Sequence, residues 1–173
     1  MYPDSGTTAI YLQNGTPVIA TEIFIGPEPT YDANADLKYP FAGVSVSFDE
    51  NQGYYNLSDL NTVRITYRSE GVMRFALLDS MTLADGNEGG EPGLYLPQVA
   101  EFTTMDIDIS DNGYDEFKAL SVPSWVSWPN NRSVVLSMVR GLKFDAKMAK
   151  AGYASFALSE VSLLDASGNV ISS

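Results

Sequence analysis

The chain has 173 residues, of which 45% are hydrophobic and 18% charged, so it is globular and long enough for one domain with its own core. Ten basic against 22 acidic residues give a formal net charge of −12, which argues against nucleic acid and membrane partners, because phosphate binding needs clustered lysine and arginine. The sequence has no cysteine and no histidine, which excludes disulfides, thiolate and imidazole metal ligands, and histidine-dependent triads. Any catalysis would have to use carboxylates, lysine or tyrosine.

The N-terminal sequence MYPDSGTTAI has neither a basic start nor an apolar core, so it does not resemble a signal peptide. No apolar run approaches the roughly 18 residues that span a bilayer. A cysteine-free acidic domain rich in Thr, Ser and Asn is typical of bacterial secretion, and we expect a secreted, extracellular protein.

Alternation of apolar and polar residues, the period of a half-buried β-strand, dominates the chain. In chain order the predicted strands are AIYLQ, VIATEIFI, FAGVSVSFD, TVRITYR, VMRFALLD, GLYLPQVA, TTMDIDIS, SVVLSMVRGLKFDA and YASFALSEVSLLD. The last strand changes register between Leu158 and Val161, which predicts a β-bulge.

Turn sequences separate these strands, among them SEG at 69–71, DNG at 111–113 and ASGN at 166–169. No long stretch keeps a helical apolar stripe. The pattern predicts a single all-β domain over residues 1–173, either an antiparallel sandwich or a barrel. Two longer irregular segments, 79–93 and 111–132, are candidates for function, because long loops in a compact β domain commonly carry it.

The order of the motifs is more specific than any one of them. Residues 56–68 (NLSDLNTVRITYR) lead into a strand, residues 102–125 run from FTTMDIDIS to FKALSVPSW, and VRGLKF and FALSEVSLL follow. Over roughly residues 39–166 this order resembles the jelly-roll carbohydrate-binding modules of bacterial plant-cell-wall-degrading enzymes, especially family 11, with family 30 as a near neighbour. The resemblance implies an antiparallel jelly-roll β-sandwich of two sheets and about ten strands.

The resemblance also implies a function. The expected protein is not an enzyme and has no catalytic residues; it binds β-glucan chains, cellulose-type or mixed-linkage, in a concave cleft lined by aromatic side chains. Aromatic faces lie beneath sugar rings, while carboxylate, amide and guanidinium groups hydrogen-bond the hydroxyl rim. The candidate carbohydrate-binding residues are Tyr39, Asp79, Asn87, Glu88, Tyr95, Trp125, Trp128 and Lys143.

Several of these candidates have a structural alternative. Trp125 is either a plug that closes one end of the sandwich or a ligand contact, and Tyr39 is either the half-buried start of a strand or a sugar platform. Asp79 and Glu88 are alternatively solvated loop charges. Tyr95 alternates with two leucines, which points it away from the apolar side.

Lys143 alternates with Leu142 and Phe144 in the same way. Trp128 stands beside Pro129 and two asparagines in PSWVSWPNN, which favours an exposed loop.

No cofactor is expected, although a structural calcium ion stays open, since carboxylates near both ends of the chain are the ligands of a hard cation. The metal ligands are unknown. The expected partners are a polysaccharide and a glycoside hydrolase of which the chain is a part or an associate.

Three alternatives to this function remain at the level of sequence. The chain could be a small jelly-roll glycoside hydrolase with a carboxylate pair, although 22 acidic residues make some such pair expected by chance. It could be a structural or adhesive surface domain with both tryptophans inside. The third alternative is an assembly-factor domain of the jelly-roll superfamily that binds protein.

Overall fold

The computed structural model describes residues 8–13, 16–25, 30–31, 37–38, 41–48, 53–80, 90–123, 126, 131–147 and 152–171. A short helix, α1 (Arg132–Ser137), and eleven strands lie within these ranges. The strands are β1 (Thr8–Gln13), β2 (Thr16–Ile25), β3 (Thr30–Tyr31), β4 (Leu37–Lys38), β5 (Phe41–Ser47), β6 (Thr62–Ser69), β7 (Met73–Asp79), β8 (Gly93–Leu96), β9 (Val99–Asp108), β10 (Val139–Lys147) and β11 (Gly152–Leu164).

Two antiparallel sheets form the sandwich. The five-stranded sheet has the order β1-β2-β11-β6-β9, and the four-stranded sheet has the order β5-β10-β7-β8. A third sheet pairs β3 with β4. The predicted antiparallel all-β sandwich of two sheets is therefore confirmed, and the barrel alternative is not what this sequence forms.

Aromatic rings connect the two sheets across the core. Phe75 and Phe144 of the four-stranded sheet lie 5.6 Å apart between ring centroids, and Phe144 stacks on Phe156 of β11 at 5.2 Å. Phe156 in turn contacts Tyr67 of β6 at 6.2 Å. All four side chains are buried, because each occupies the apolar position in the alternation of its strand.

The predicted bulge in the last strand is confirmed: the pairing of β11 with β6 shifts register between Leu158 and Glu160. Two predicted strands need correction. The predicted strand GLYLPQVA is interrupted at Pro97 and Gln98, and its two halves belong to β8 and β9 in different sheets. Proline cannot donate to a ladder, so the chain crosses between the sheets at that point.

The second correction concerns residues 133–146, predicted as one strand. Its first part is helical, because Asn131 caps α1 by accepting a hydrogen bond from the Val134 N–H at 3.3 Å. Val135 and Leu136 point into the core. The Arg132 side chain donates to the carbonyl oxygens of Ile109 and Leu60, both at 2.6 Å, which holds the helix against the loops of the other sheet.

In the part of the chain that the structure describes, no helix has the length and apolar character needed to cross a membrane.

Candidate functional site

The outer face of the four-stranded sheet, the side turned away from the core, carries an unusual set of side chains. On β10, Leu142 and Phe144 are fully buried in the core, so the alternation turns Lys143 to the outer face. Asp145 lies two residues further along the same strand and on the same face. On β7 the core residues are Met73 and Phe75, which leaves Arg74 between them on the outer face.

The register brings these residues side by side. Asp145 pairs with Arg74, and Arg74 pairs with Tyr95 of β8. Lys143 pairs with Ser45 of β5, whose side chain is exposed. The outer face therefore presents a row of one carboxylate, one guanidinium and one phenol across three adjacent strands.

Four charged residues on this face contact one another; we call Arg74, Glu91, Lys143 and Asp145 the charged cluster. The Lys143 ammonium lies 3.1 Å from a carboxylate oxygen of Glu91 and 3.1 Å from one of Asp145. The Arg74 guanidinium lies 3.4 Å from the second Glu91 oxygen and 4.0 Å from Asp145. Arg74 also donates a hydrogen bond to the main-chain carbonyl of Glu91.

The side chains of the charged cluster are shielded from solvent although they lie on the outer side of a sheet. Their exposed fractions are 14% for Arg74, 3% for Glu91, 18% for Lys143 and 11% for Asp145. Holding charged groups out of water costs several kcal/mol per ion unless they are paired with good geometry. Functional sites are among the places where proteins keep arrangements of this kind.

The outer side of the five-stranded sheet carries an ordinary exposed ion pair. There Arg64 and Asp106 form a two-point contact at 2.7 and 2.8 Å, with exposed fractions of 42% and 49%. This hydrogen bond lowers the pKa of the Asp106 carboxyl. Exposed pairs of this kind add little to stability and carry no sign of a site.

Beside the charged cluster, Tyr95 leaves 66% of its surface exposed. Its neighbours on β8, Leu94 and Leu96, face the other way. Gly93 lies close to this row: a Cβ atom there would fall inside van der Waals contact of the Phe75 carbonyl oxygen and 3.0 Å from the Arg74 side chain. An open tyrosine ring next to oriented polar groups is suited to a ligand with an apolar face and a hydroxylated rim.

A depression lies at the end of the five-stranded sheet. Its lining residues are polar, small or charged: Asn61, Thr62, Asp106, Asp108, Ser110, Asp111, Lys118 and Ala166. Asp108 and Lys118 form a half-exposed pair at 3.5 Å across it. None of the described residues that line this depression is aromatic, so among them there is no surface for stacking. The outer face of the four-stranded sheet is therefore the better candidate.

Three of the eight candidate residues lie in the described part of the chain. The structure brings Tyr95 and Lys143 together on the outer face, as their alternation indicates. It does not bring Asp79 there. Asp79 ends β7, pairs with Val139, and is fully buried on the core side, so the predicted sugar contact of Asp79 does not enter this site.

The other five candidates, Tyr39, Asn87, Glu88, Trp125 and Trp128, lie outside the described residues. Their contact with a ligand stays a prediction.

Sequence reasoning missed three members of the charged cluster. Arg74 and Asp145 had a visible signal, because each lies between two apolar residues of its strand that alternation assigns to the core. Glu91 had none, since it lies in the turn sequence NEGGEPG. Only the fold shows that this turn brings a carboxylate back over the sheet.

Within the described ranges, no group of three or more acidic side chains has a geometry that could hold a metal ion. The structural calcium ion stays a prediction.

No protein-family profile and no curated protein sequence significantly matches the chain. Among solved structures, the chain is similar to the family 11 carbohydrate-binding module of the cellulosomal cellulase Lic26A-Cel5E of Clostridium thermocellum; the TM-score is 0.52 at 12% identity, over 92% of this chain and 81% of that one.

An exo-β-agarase gives a TM-score of 0.50 at 10% identity over 92% of this chain and 22% of the other. A family 30 carbohydrate-binding module gives 0.49 at 9% identity, over 93% and 84% of the two chains. The chain therefore has the jelly-roll fold of the family 11 module, as the order of its sequence motifs predicted.

Proposed function

We propose that the chain is a non-catalytic carbohydrate-binding domain that binds a neutral β-glucan chain, cellulose-type or mixed-linkage, across the outer face of the four-stranded sheet. The observation that carries the proposal is the placement of the exposed Tyr95 ring beside the shielded charged cluster on one sheet face. The fold shared with a carbohydrate-binding module supports it.

The chemistry of the face favours an uncharged sugar. Each cation of the charged cluster already contacts a carboxylate, and the chain as a whole has a net charge of −12, so an anionic polysaccharide would meet repulsion. Hydroxyl groups can instead donate to the Asp145 carboxylate and accept from the Arg74 and Lys143 side chains, which are more exposed than Glu91. Sugar rings would stack on Tyr95, and binding is expected to be weak, since an open face desolvates only part of each ring.

Affinity electrophoresis against soluble polysaccharides tests the proposal. We expect retardation by mixed-linkage β-glucan or a soluble cellulose derivative, and none by polygalacturonic acid. Equal mobility in all gels would contradict it. On this proposal the domain is secreted and acts as part of a bacterial glycoside hydrolase or beside one.

Two assays separate the alternatives. Release of reducing sugar from mixed-linkage glucan, lost on substitution of one acidic residue, would establish a hydrolase. Tryptophan fluorescence tests the structural or adhesive alternative. If Trp128 contacts the ligand, as the sequence predicts, its emission should change when oligosaccharide is added, whereas two buried tryptophans would stay blue-shifted and unchanged. We further expect Trp128→Ala to lose most glucan retention without a change in melting temperature.

A further inference from the structure

No pattern in the sequence predicted a role for Glu91, yet its carboxylate contacts other members of the charged cluster. One carboxylate oxygen lies 3.1 Å from the Lys143 ammonium, and the other lies 3.4 Å from the Arg74 guanidinium. Its main-chain carbonyl accepts a further hydrogen bond from Arg74. Glu91 therefore contacts both cations at once, with a side chain that is only 3% exposed.

The main chain around Glu91 is fixed to the sheet. The carbonyl of Pro92, the next residue, accepts a hydrogen bond from the Leu77 N–H at 3.0 Å. Gly93 then exchanges two hydrogen bonds with Ser121, at 3.0 and 2.9 Å. With these anchors directly after Glu91 and its own carbonyl bonded to Arg74, the position of the Glu91 carboxylate is set by the fold.

A carboxylate in a fixed position orders the two long, flexible cations that it contacts before any ligand binds. Lysine and arginine side chains lose much rotamer freedom when they are ordered, and a ligand that has to order them binds less tightly. Here the order is already supplied by Glu91. Its contacts also hold Arg74 within the charged cluster while the ring of its strand partner Tyr95 stays 66% exposed.

We propose that Glu91 is a positioning residue: it orients Lys143 and Arg74 on the outer face, without itself contacting the sugar. The inference rests on the proposed function for the ligand, but the orientation of the two cations concerns only the charged cluster. Two other roles make different predictions, namely direct sugar contact by Glu91 and a purely structural ion pair.

A double-mutant cycle with mixed-linkage β-glucan as the probe separates these roles. We expect Glu91→Gln to weaken binding by about tenfold to hundredfold, the range of one lost hydrogen bond to a charged group. In a Lys143→Met background, Glu91→Gln should reduce the affinity by a clearly smaller factor, because the Lys143 ammonium that Glu91 positions is no longer present. Fully additive losses would mean direct sugar contact, and unchanged affinity with a lower melting temperature would mean a structural pair only; either result overturns the proposal.

A second measurement needs no ligand. Competitive acylation followed by mass spectrometry reports how accessible each lysine is, and Lys143 should become severalfold more reactive in Glu91→Gln. Glu160→Gln is the matched control, because Glu160 is an exposed carboxylate that accepts a hydrogen bond from Thr66 on the other sheet. It should leave Lys143 unchanged. Equal reactivity of Lys143 in wild type and Glu91→Gln overturns the proposal.

Glu91→Asp covers the case in which the glutamine variant does not fold. It keeps the charge but shortens the reach by one methylene, so Lys143 should show an intermediate increase in acylation, and an unchanged Lys143 would contradict the proposal. If wild-type protein binds no polysaccharide while Lys143 reactivity responds to Glu91, the proposed function fails and the positioning geometry stands.

Discussion

Tyr95 of β8 lies directly across from Arg74 of β7, and both side chains turn away from the core onto the outer face of the four-stranded sheet. This pairing places an open aromatic ring at the border of a shielded group of charges. A sugar ring that stacks on Tyr95 would lie at this border.

Tyr95→Ala should weaken binding of mixed-linkage β-glucan by about tenfold, since the stacking area of one exposed ring contributes roughly 1–2 kcal/mol. The melting temperature should change little, because an exposed ring contributes little to the folded core. Isothermal titration and thermal unfolding measure the two quantities. Tyr114→Ala is the control: Tyr114 is 84% exposed on the loop after β9 and should keep full affinity. Equal losses in both variants would contradict a site at Tyr95.

Tyr67→Phe should lower the free energy of unfolding by about 1–2 kcal/mol. The buried Tyr67 hydroxyl donates a 2.8 Å hydrogen bond to the carbonyl of Pro97, at the point where the chain crosses between the sheets. Removal of the hydroxyl leaves that carbonyl without this donor. Urea unfolding measures the loss, with Tyr54→Phe at a half-exposed position as the control. Identical unfolding curves for both variants would show that the crossover is held by other contacts.

Burial also raises the pKa of the Tyr67 hydroxyl. A raised folded-state pKa gives stability that is present below the unfolded value of about 10 and is lost as pH rises through the folded value. Wild-type protein should therefore lose stability above about pH 10, and Tyr67→Phe should lose less.

Gly93→Ala should destabilise the protein by about 1–3 kcal/mol, because the new methyl group would press on the Phe75 carbonyl and the Arg74 side chain. The substitution should also reduce glucan affinity through Arg74. Ser45→Ala, on the same outer face, adds no atom and serves as the control. Thermal unfolding and titration measure both effects, and a wild-type melting temperature for Gly93→Ala would refute the close approach.

Asp165→Asn should make the stability of the protein less dependent on pH in the acid range. The Asp165 carboxylate accepts the N–H groups of Ser167 and Asn169, both at 2.8 Å, and these hydrogen bonds, that of Asn169 first, lower its pKa. A lowered folded-state pKa gives stability that is present above the unfolded value of about 3.9 and is lost as pH falls through the folded value.

Thermal unfolding between pH 7 and pH 3 tests this. The Asp165→Asn variant should be less stable than wild type at neutral pH and equal to it at the acid end. Glu101→Gln, which removes an exposed charge from β9, provides the comparison. Parallel curves for wild type and Asp165→Asn would rule out the contribution.

The sequence SVVLSM shows where local pattern misleads. Its β-branched residues favour a strand, yet Asn131 caps a helix there and Arg132 holds that helix to the carbonyls of Ile109 and Leu60. These carbonyls lie far away in sequence, so no local window contains the contacts that decide the outcome.

By itself the sequence determined the all-β strand pattern and the side of the sheet to which Tyr95 and Lys143 turn, because a strand has a side-chain period of two that alternation records directly. The choice of a two-sheet sandwich over a barrel came from the order of the motifs and the family that this order resembles. Only the tertiary structure decided which strands are neighbours, and therefore that Arg74 lies between Asp145 and Tyr95. It also decided that Glu91, in a turn sequence without a signal, joins the two cations. Strand order and register come from packing across the whole core, which no single stretch of sequence specifies.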